Sequence, residues 1–140
     1  FGWVEMNSEI EIKELIERAM EAQKRAYVPY SHYAVGAALI ADDGEIYEGC
    51  NIENAAFSPT VCAERVAIFK AVSEGAKSIK KIAVVAGEDM GYPCGVCRQV
   101  IREFGKDAEI IVARNTEEYG VYHLNDLLPH SFGPESLKGE

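Results

Sequence analysis

Ile82-Ala83-Val84-Val85-Ala86 is an unbroken apolar run of strand length, stopped by Gly87. A strand without polar alternation is covered on both faces, so its sheet needs a layer of helix on each side. The flanking sequence supplies those helices. Upstream, Val66, Ala67 and Ala71 recur at helical spacing, with Thr60 as the expected cap and Gly75 as the stop. Downstream, Pro93 opens a helix that turns Val100, Ile101 and Phe104 inward and stops at Gly105.

Working outward, Val35-Gly36-Ala37-Ala38-Leu39-Ile40 reads as a second buried strand. Asp42-Asp43-Gly44 is a hairpin turn, and Glu45 to Cys50 alternates like the returning strand. Ser8 and Glu11 form a capping box ahead of Ile12, Leu15, Ile16, Ala19 and Met20, which predicts a helix from Ser8 to Ala26, ended by Pro29. Asn51–Pro59 and Gly87–Tyr92 lack periodicity and read as loops. Strands follow at Glu109–Ala113 and Tyr119–Leu124 about a turn at Arg114–Glu118, then a short helix at Asn125–Leu128 and a final turn at Pro134–Lys138. With no linker or repeat, residues 1–140 form one α/β domain with helices on both faces of one sheet. Strand-helix-strand crossovers predict parallel neighbours in the centre, and the hairpin adds an antiparallel edge.

A length of 140 residues suffices for a real core, and 48% hydrophobic with 26% charged residues is ordinary for a soluble domain. The net charge of −9 argues against nucleic acid, whose phosphates demand clustered Lys and Arg; a small or neutral substrate fits better. No apolar stretch approaches the ~20 residues of a membrane span, which argues against a membrane partner. Phe1-Gly2-Trp3-Val4-Glu5 has neither a basic start nor an apolar run and is not a signal peptide. Residues 1–5 read as an addition ahead of a natural start at Met6, or as disordered. Four cysteines without a secretory signal point to a reducing, cytoplasmic compartment.

Two segments carry the chemistry. Cys62-Ala63-Glu64 and Pro93-Cys94-Gly95-Val96-Cys97 each stand where a helix begins. Zinc favours thiolates, and a catalytic ion takes three protein ligands and leaves a fourth position to water. Cys-x-Glu followed by Pro-Cys-x-x-Cys is the signature of zinc-dependent deaminases. Helix N-termini lower thiol pKa values, and Arg65 and Arg98 are candidate counter-charges, with Arg65 preferred because it abuts both a ligand and Glu64. Residues two apart in a helix point to different sides, so Cys62 and Glu64 share a cavity only if Cys62 sits at the loop-helix junction. Glu64 then moves protons without binding metal. Cys-x-x-Cys alone also fits structural zinc or a redox dithiol, and Cys50 could close a four-thiol site; at a strand end it reads instead as a small buried hydrophobe. His32, His123 and His130 read as surface or packing residues, Glu53 as a loop acid, Tyr33 and Phe132 as core aromatics.

Five stretches in order extend the pattern: Tyr30 to Ala38, Gly49 to Ala55, Cys62 to Arg65, Pro93 to Val100, and Leu127 to Pro129. From about Leu15 to Leu137 the chain resembles the short, homotetrameric type of cytidine deaminase. The resemblance implies a three-layer α/β/α sandwich around a mixed five-stranded sheet. It implies one zinc ion per subunit on Cys62, Cys94 and Cys97, with Glu64 as proton shuttle and Arg65 hydrogen-bonded to the thiolates. It places Asn51 and Glu53 at the ribose 3′-hydroxyl, the backbone of Ala63 and of Pro93–Cys94 at the pyrimidine edge, and Tyr33 near the base. Phe132 would stack on the base from a neighbouring subunit, giving a homotetramer with shared sites. Tyr33 replaces the more familiar Phe of the family and Phe57 stands where Tyr is also common, which touches ring packing only. The implied reaction is hydrolytic deamination of cytidine and 2′-deoxycytidine in pyrimidine salvage. Rival readings are a blasticidin S deaminase, a non-catalytic four-thiol module and a thiol-disulfide redox protein.

Overall fold

The computed structural model describes residues 2–138. In chain order the elements are α1 (Gly2–Gln23), β1 (Val35–Ala41), β2 (Ile46–Cys50), α2 (Ala63–Ser73), β3 (Ile79–Ala86), α3 (Gly95–Phe104), β4 (Glu109–Ala113), β5 (Tyr119–His123), α4 (Leu124–Leu127) and α5 (Pro134–Lys138). The sheet is five-stranded in the order β2-β1-β3-β4-β5. The apolar run Ile82–Ala86 belongs to the middle strand, and its alternate residues face different layers. Ala83 and Val85 pack with Ile12, Leu15, Ile16 and Ala19 of α1. Ile82 and Val84 face the opposite core, with Ala67 and Ile68 of α2 and Ile101 of α3. The result is the expected three-layer sandwich.

The pairing differs from the expectation at one side of the centre. β3 and β4 are parallel, as a crossover through α3 requires. β1, however, lies antiparallel to both β2 and β3. The β2–α2–β3 crossover strides over β1, because the hairpin folds its first strand inward and leaves the second at the edge.

Two helix starts also differ. α1 begins at Gly2, so Ser8 lies inside the helix and the expected capping box does not start it; the helix ends at Gln23, before the expected Ala26. α2 begins at Ala63 with Cys62, not Thr60, at the N-cap. The Thr60 hydroxyl instead accepts the Asn54 N–H at 3.0 Å and closes the loop.

Close approach between layers depends on two glycines. A Cβ on Gly36 would lie 1.9 Å from the Ala19 carbonyl oxygen of α1. One on Gly49 would lie 2.5 Å from both Ala63 O and Ala67 N, so the first turn of α2 rests directly on the β2 backbone.

Candidate active site

α2 follows the carboxyl end of β2 and α3 follows that of β3, so both helices present their N-termini at one end of the sheet, where open α/β sheets place their sites. The loop between β2 and α2 is stitched across itself: Ile52 and Val61 exchange backbone hydrogen bonds of 3.0 Å in each direction. That pairing delivers Cys62 in an extended conformation, φ −72° and ψ 154°. Cys94 caps α3 in nearly the same conformation, φ −69° and ψ 170°. With Cys62 outside the helix and Glu64 inside its first turn, both reach one cavity.

The Cys62, Cys94 and Cys97 sulfurs lie within 4.8 Å of one another. Tetrahedral zinc with Zn–S bonds of ~2.3 Å requires sulfurs ~3.8 Å apart. The Cys62 and Cys94 sulfurs are 3.8 Å apart, so the donor set and spacing fit zinc. Cys50 stands outside this cluster, which removes the four-thiol arrangement among the described residues. The Cys62 thiol is pulled down to about 5, chiefly by its hydrogen bond with Cys97 and then by Arg65, against the cost of burial. Cys97 is pushed up, first by acting as the donor in that pair and then by its burial. Metal binding requires the thiolate forms and would release the protons the three thiols still hold.

Arg65 places Nη2 3.5 Å from Cys62 Sγ, while its Nε is buried and unpaired among the described residues. Arg98 does not approach the sulfurs. Its guanidinium donates to Pro93 O and to Leu127 O, each at 2.7 Å, and so ties the start of α3 to the end of α4.

Glu64 is 4% exposed. Burial pushes its carboxyl up to about 7, helped by the negative charge on Cys62. A divalent cation among the sulfurs would pull it down again. A cavity of about 210 Å³ opens over these groups, lined by Tyr33, Asn51, Cys62, Ala63, Glu64 and Cys94, with Val84 and Ala86 of β3 and with Tyr92.

The other expected residues divide. Asn51 reaches the cavity wall, its Oδ1 accepting Val35 N–H at 2.9 Å and its Nδ2 donating to Tyr33 O at 2.8 Å. Glu53 lies beside that cavity, in a neighbouring depression with Tyr30, Ser31 and Phe57. It accepts the backbone N–H groups of Tyr30 and Ser31 at 3.0 and 3.2 Å, and the Ser31 hydroxyl, which with the backbone bonds holds its carboxyl below the usual range. Phe132 is exposed and does not line the cavity of its own chain. Tyr33 is on the cavity wall and partly exposed, so it is no core residue.

Tyr92 was not singled out by sequence. It borders the cavity and its hydroxyl lies 2.7 Å from that of Tyr122, the two rings meeting edge to face at 5.5 Å. Its position directly before Pro93-Cys94 was the available signal.

Three thiols, a buried carboxylate and a small cavity in a three-layer sandwich define a zinc-dependent hydrolytic deaminase site. Comparison with known proteins agrees. The cytidine and deoxycytidylate deaminase zinc-binding region matches residues 9–114. The chain is 48% identical over 130 residues to the cytidine deaminase of Sporosarcina psychrophila, covering 91% of this chain and 96% of that one. The crystal structure of the Burkholderia pseudomallei cytidine deaminase superposes with a TM-score of 0.80 at 42% identity, covering 85% of this chain and 97% of that one. That of Mycobacterium tuberculosis gives 0.76 at 39% identity, covering 86% and 95%. The chain belongs to the cytidine deaminase family, and its cofactor is zinc.

Proposed function

We propose that this protein hydrolyses cytidine and 2′-deoxycytidine to uridine and 2′-deoxyuridine with release of ammonia, in pyrimidine salvage in the cytoplasm. The observation that carries the reading is the three-thiol cluster beside a buried, unligated Glu64 at the floor of a cavity. Cys62, Cys94 and Cys97 hold the metal. Bound zinc supplies Lewis-acid activation of water and stabilises negative charge as it develops.

The chain's own groups handle the protons. Glu64 accepts one from the attacking water and passes it to the ring nitrogen N3. The water oxygen bonds to C4, the C4–N4 bond breaks, and Glu64 transfers the second proton to the departing amine. The Ala63 backbone and the Pro93–Cys94 turn read the pyrimidine edge, and Tyr33 packs against the ring. Asn51 and Glu53 bind the ribose 3′-hydroxyl, Asn51 from the cavity wall and Glu53 from the adjoining depression. Arg65 shares the charge of the thiolates.

The cavity of about 210 Å³ is smaller than the ~300–1,000 Å³ typical of complete small-molecule sites. This supports a homotetramer in which Phe132 of one subunit closes the site of another. Exposed Tyr27, Ile52, Phe57 and Phe132 supply apolar surface for such contacts.

Purified protein should convert cytidine and deoxycytidine, followed by ultraviolet absorbance, with ammonia released in equal amount. Turnover of blasticidin S without turnover of either nucleoside would overturn the substrate assignment. Tight stoichiometric zinc after purification under reducing conditions excludes a redox dithiol.

A further inference from the structure

Among the described residues two charged side chains are buried: Glu64, at 4% exposure, and Arg102, at 6%. The first belongs to the reaction. The second lies on α3 and points away from the cysteines, into the segment that follows α4. A buried guanidinium is costly unless its donors are matched, so its partners reveal what it holds.

Those partners lie in one short stretch. Arg102 Nε donates to the Ser131 hydroxyl at 2.7 Å. Its two terminal nitrogens fork onto the Glu135 carboxylate, Nη1 at 3.4 Å and Nη2 in closer contact. Gly133 passes over the guanidinium so closely that a Cβ there would lie 2.5 Å from the central carbon. One turn back on the same helix, Gln99 Nε2 donates to the Phe132 carbonyl at 2.9 Å. The Phe132 carbonyl and the side chains of Ser131 and Glu135 on either side of it are therefore fastened to α3, while Phe132 as a whole stays 58% exposed. A tail this short has little core of its own, and a planar, bidentate fork removes its freedom more completely than a single point charge could.

We propose that Arg102 is a positioning residue for the deamination reaction: by clamping Ser131–Glu135 to α3 it fixes the place from which Phe132 is presented to the substrate site of a neighbouring copy. This rests on the reading that Phe132 contacts substrate across a subunit boundary. The clamp belongs to the helix that carries Cys97 and is capped by Cys94, so one rigid element sets two of the three metal donors of its own site and the aromatic ring offered to the next.

The test is a set of kinetic measurements on Arg102→Gln, Glu135→Gln and Phe132→Ala, with the double variant Arg102→Gln/Phe132→Ala. Loss of base stacking in Phe132→Ala should raise KM for cytidine roughly tenfold. Arg102→Gln and Glu135→Gln should raise KM in the same direction by a smaller factor, with kcat and zinc content unchanged. In the double variant KM should equal that of Phe132→Ala alone, because a clamp has no effect once the clamped ring is gone. An unchanged KM in Phe132→Ala would refute the underlying reading of the shared site. A raised KM in Phe132→Ala with wild-type KM in Glu135→Gln and Arg102→Gln would refute the clamp, as would multiplicative effects in the double variant. If Arg102→Gln does not accumulate as folded protein, Glu135→Gln, whose amide oxygen still accepts one hydrogen bond from the guanidinium but cannot form the charged fork, decides by the same comparison.

Discussion

Cys62 and Glu64, two positions apart, can serve one cavity only if the first stands outside the helix. The extended backbone at Cys62 meets that demand. The clustering of Cys62, Cys94 and Cys97 beside a buried Glu64 was legible because the proposed roles of metal ligand and proton carrier admit few side chains. The Arg65 role followed from adjacency; the Arg98 role did not, since a chain position cannot show whether a guanidinium turns toward sulfur or toward backbone carbonyls. Arg65→Ala should leave the fold intact but weaken zinc about 10- to 100-fold, the usual cost of losing an outer partner of a metal ligand, measured by chelator competition. Cys50→Ala should keep both zinc and activity, since that thiol is outside the cluster. Glu53→Ala should raise KM for cytidine and leave the metal in place; an unchanged KM would remove the ribose role.

At the level of elements, the long periodic segments and glycine stops were readable, while two helix starts were not. Ser8 and Thr60 both have the chemistry of a cap, but a cap forms only where tertiary contacts let the chain turn, and Thr60 is occupied by Asn54. Layer spacing is set by Gly36 and Gly49, which no periodicity exposes. Gly49→Ala pushes a methyl into the backbone of α2, and overpacking of this kind costs about 1–3 kcal/mol. It should lower the melting temperature and, because the displaced turn carries Glu64, reduce kcat as well; a stability loss with full kcat would separate the two. On the other layer, Glu48 of β2 binds Arg18 of α1 and Arg25 just beyond it. Burial raises the Glu48 carboxyl, but the two arginines outweigh it and the net shift is downward. A depressed folded-state pKa stabilises above the unfolded carboxylate value of ~4.3 and is lost as pH falls through the folded value. Glu48→Gln should therefore be less stable than wild type by up to ~1 kcal/mol near neutral pH, the two converging below pH ~4 in thermal melts.

For the whole molecule, the three-layer plan was visible because a fully apolar strand between two helices has few other solutions. The antiparallel pairing of β1 with β3 was not, although the unbroken apolar run of β1 beside the alternation of β2 already marks the hairpin's first strand as the inner one. No helix among the described residues is long and apolar enough to cross a membrane. For the proposed site shared through Phe132, light scattering on the purified protein should give four times the 15.4 kDa chain mass. A monomer with full activity would remove the shared site. The central claim, that three thiols hold a reactive zinc while Glu64 moves the protons, is tested most directly by measuring zinc content and cytidine turnover together in wild type and Glu64→Gln. One zinc per chain in both proteins, with turnover in the variant reduced by about 10² or more, is the predicted result. Zinc-loaded Glu64→Gln that deaminates cytidine at the wild-type rate would contradict it.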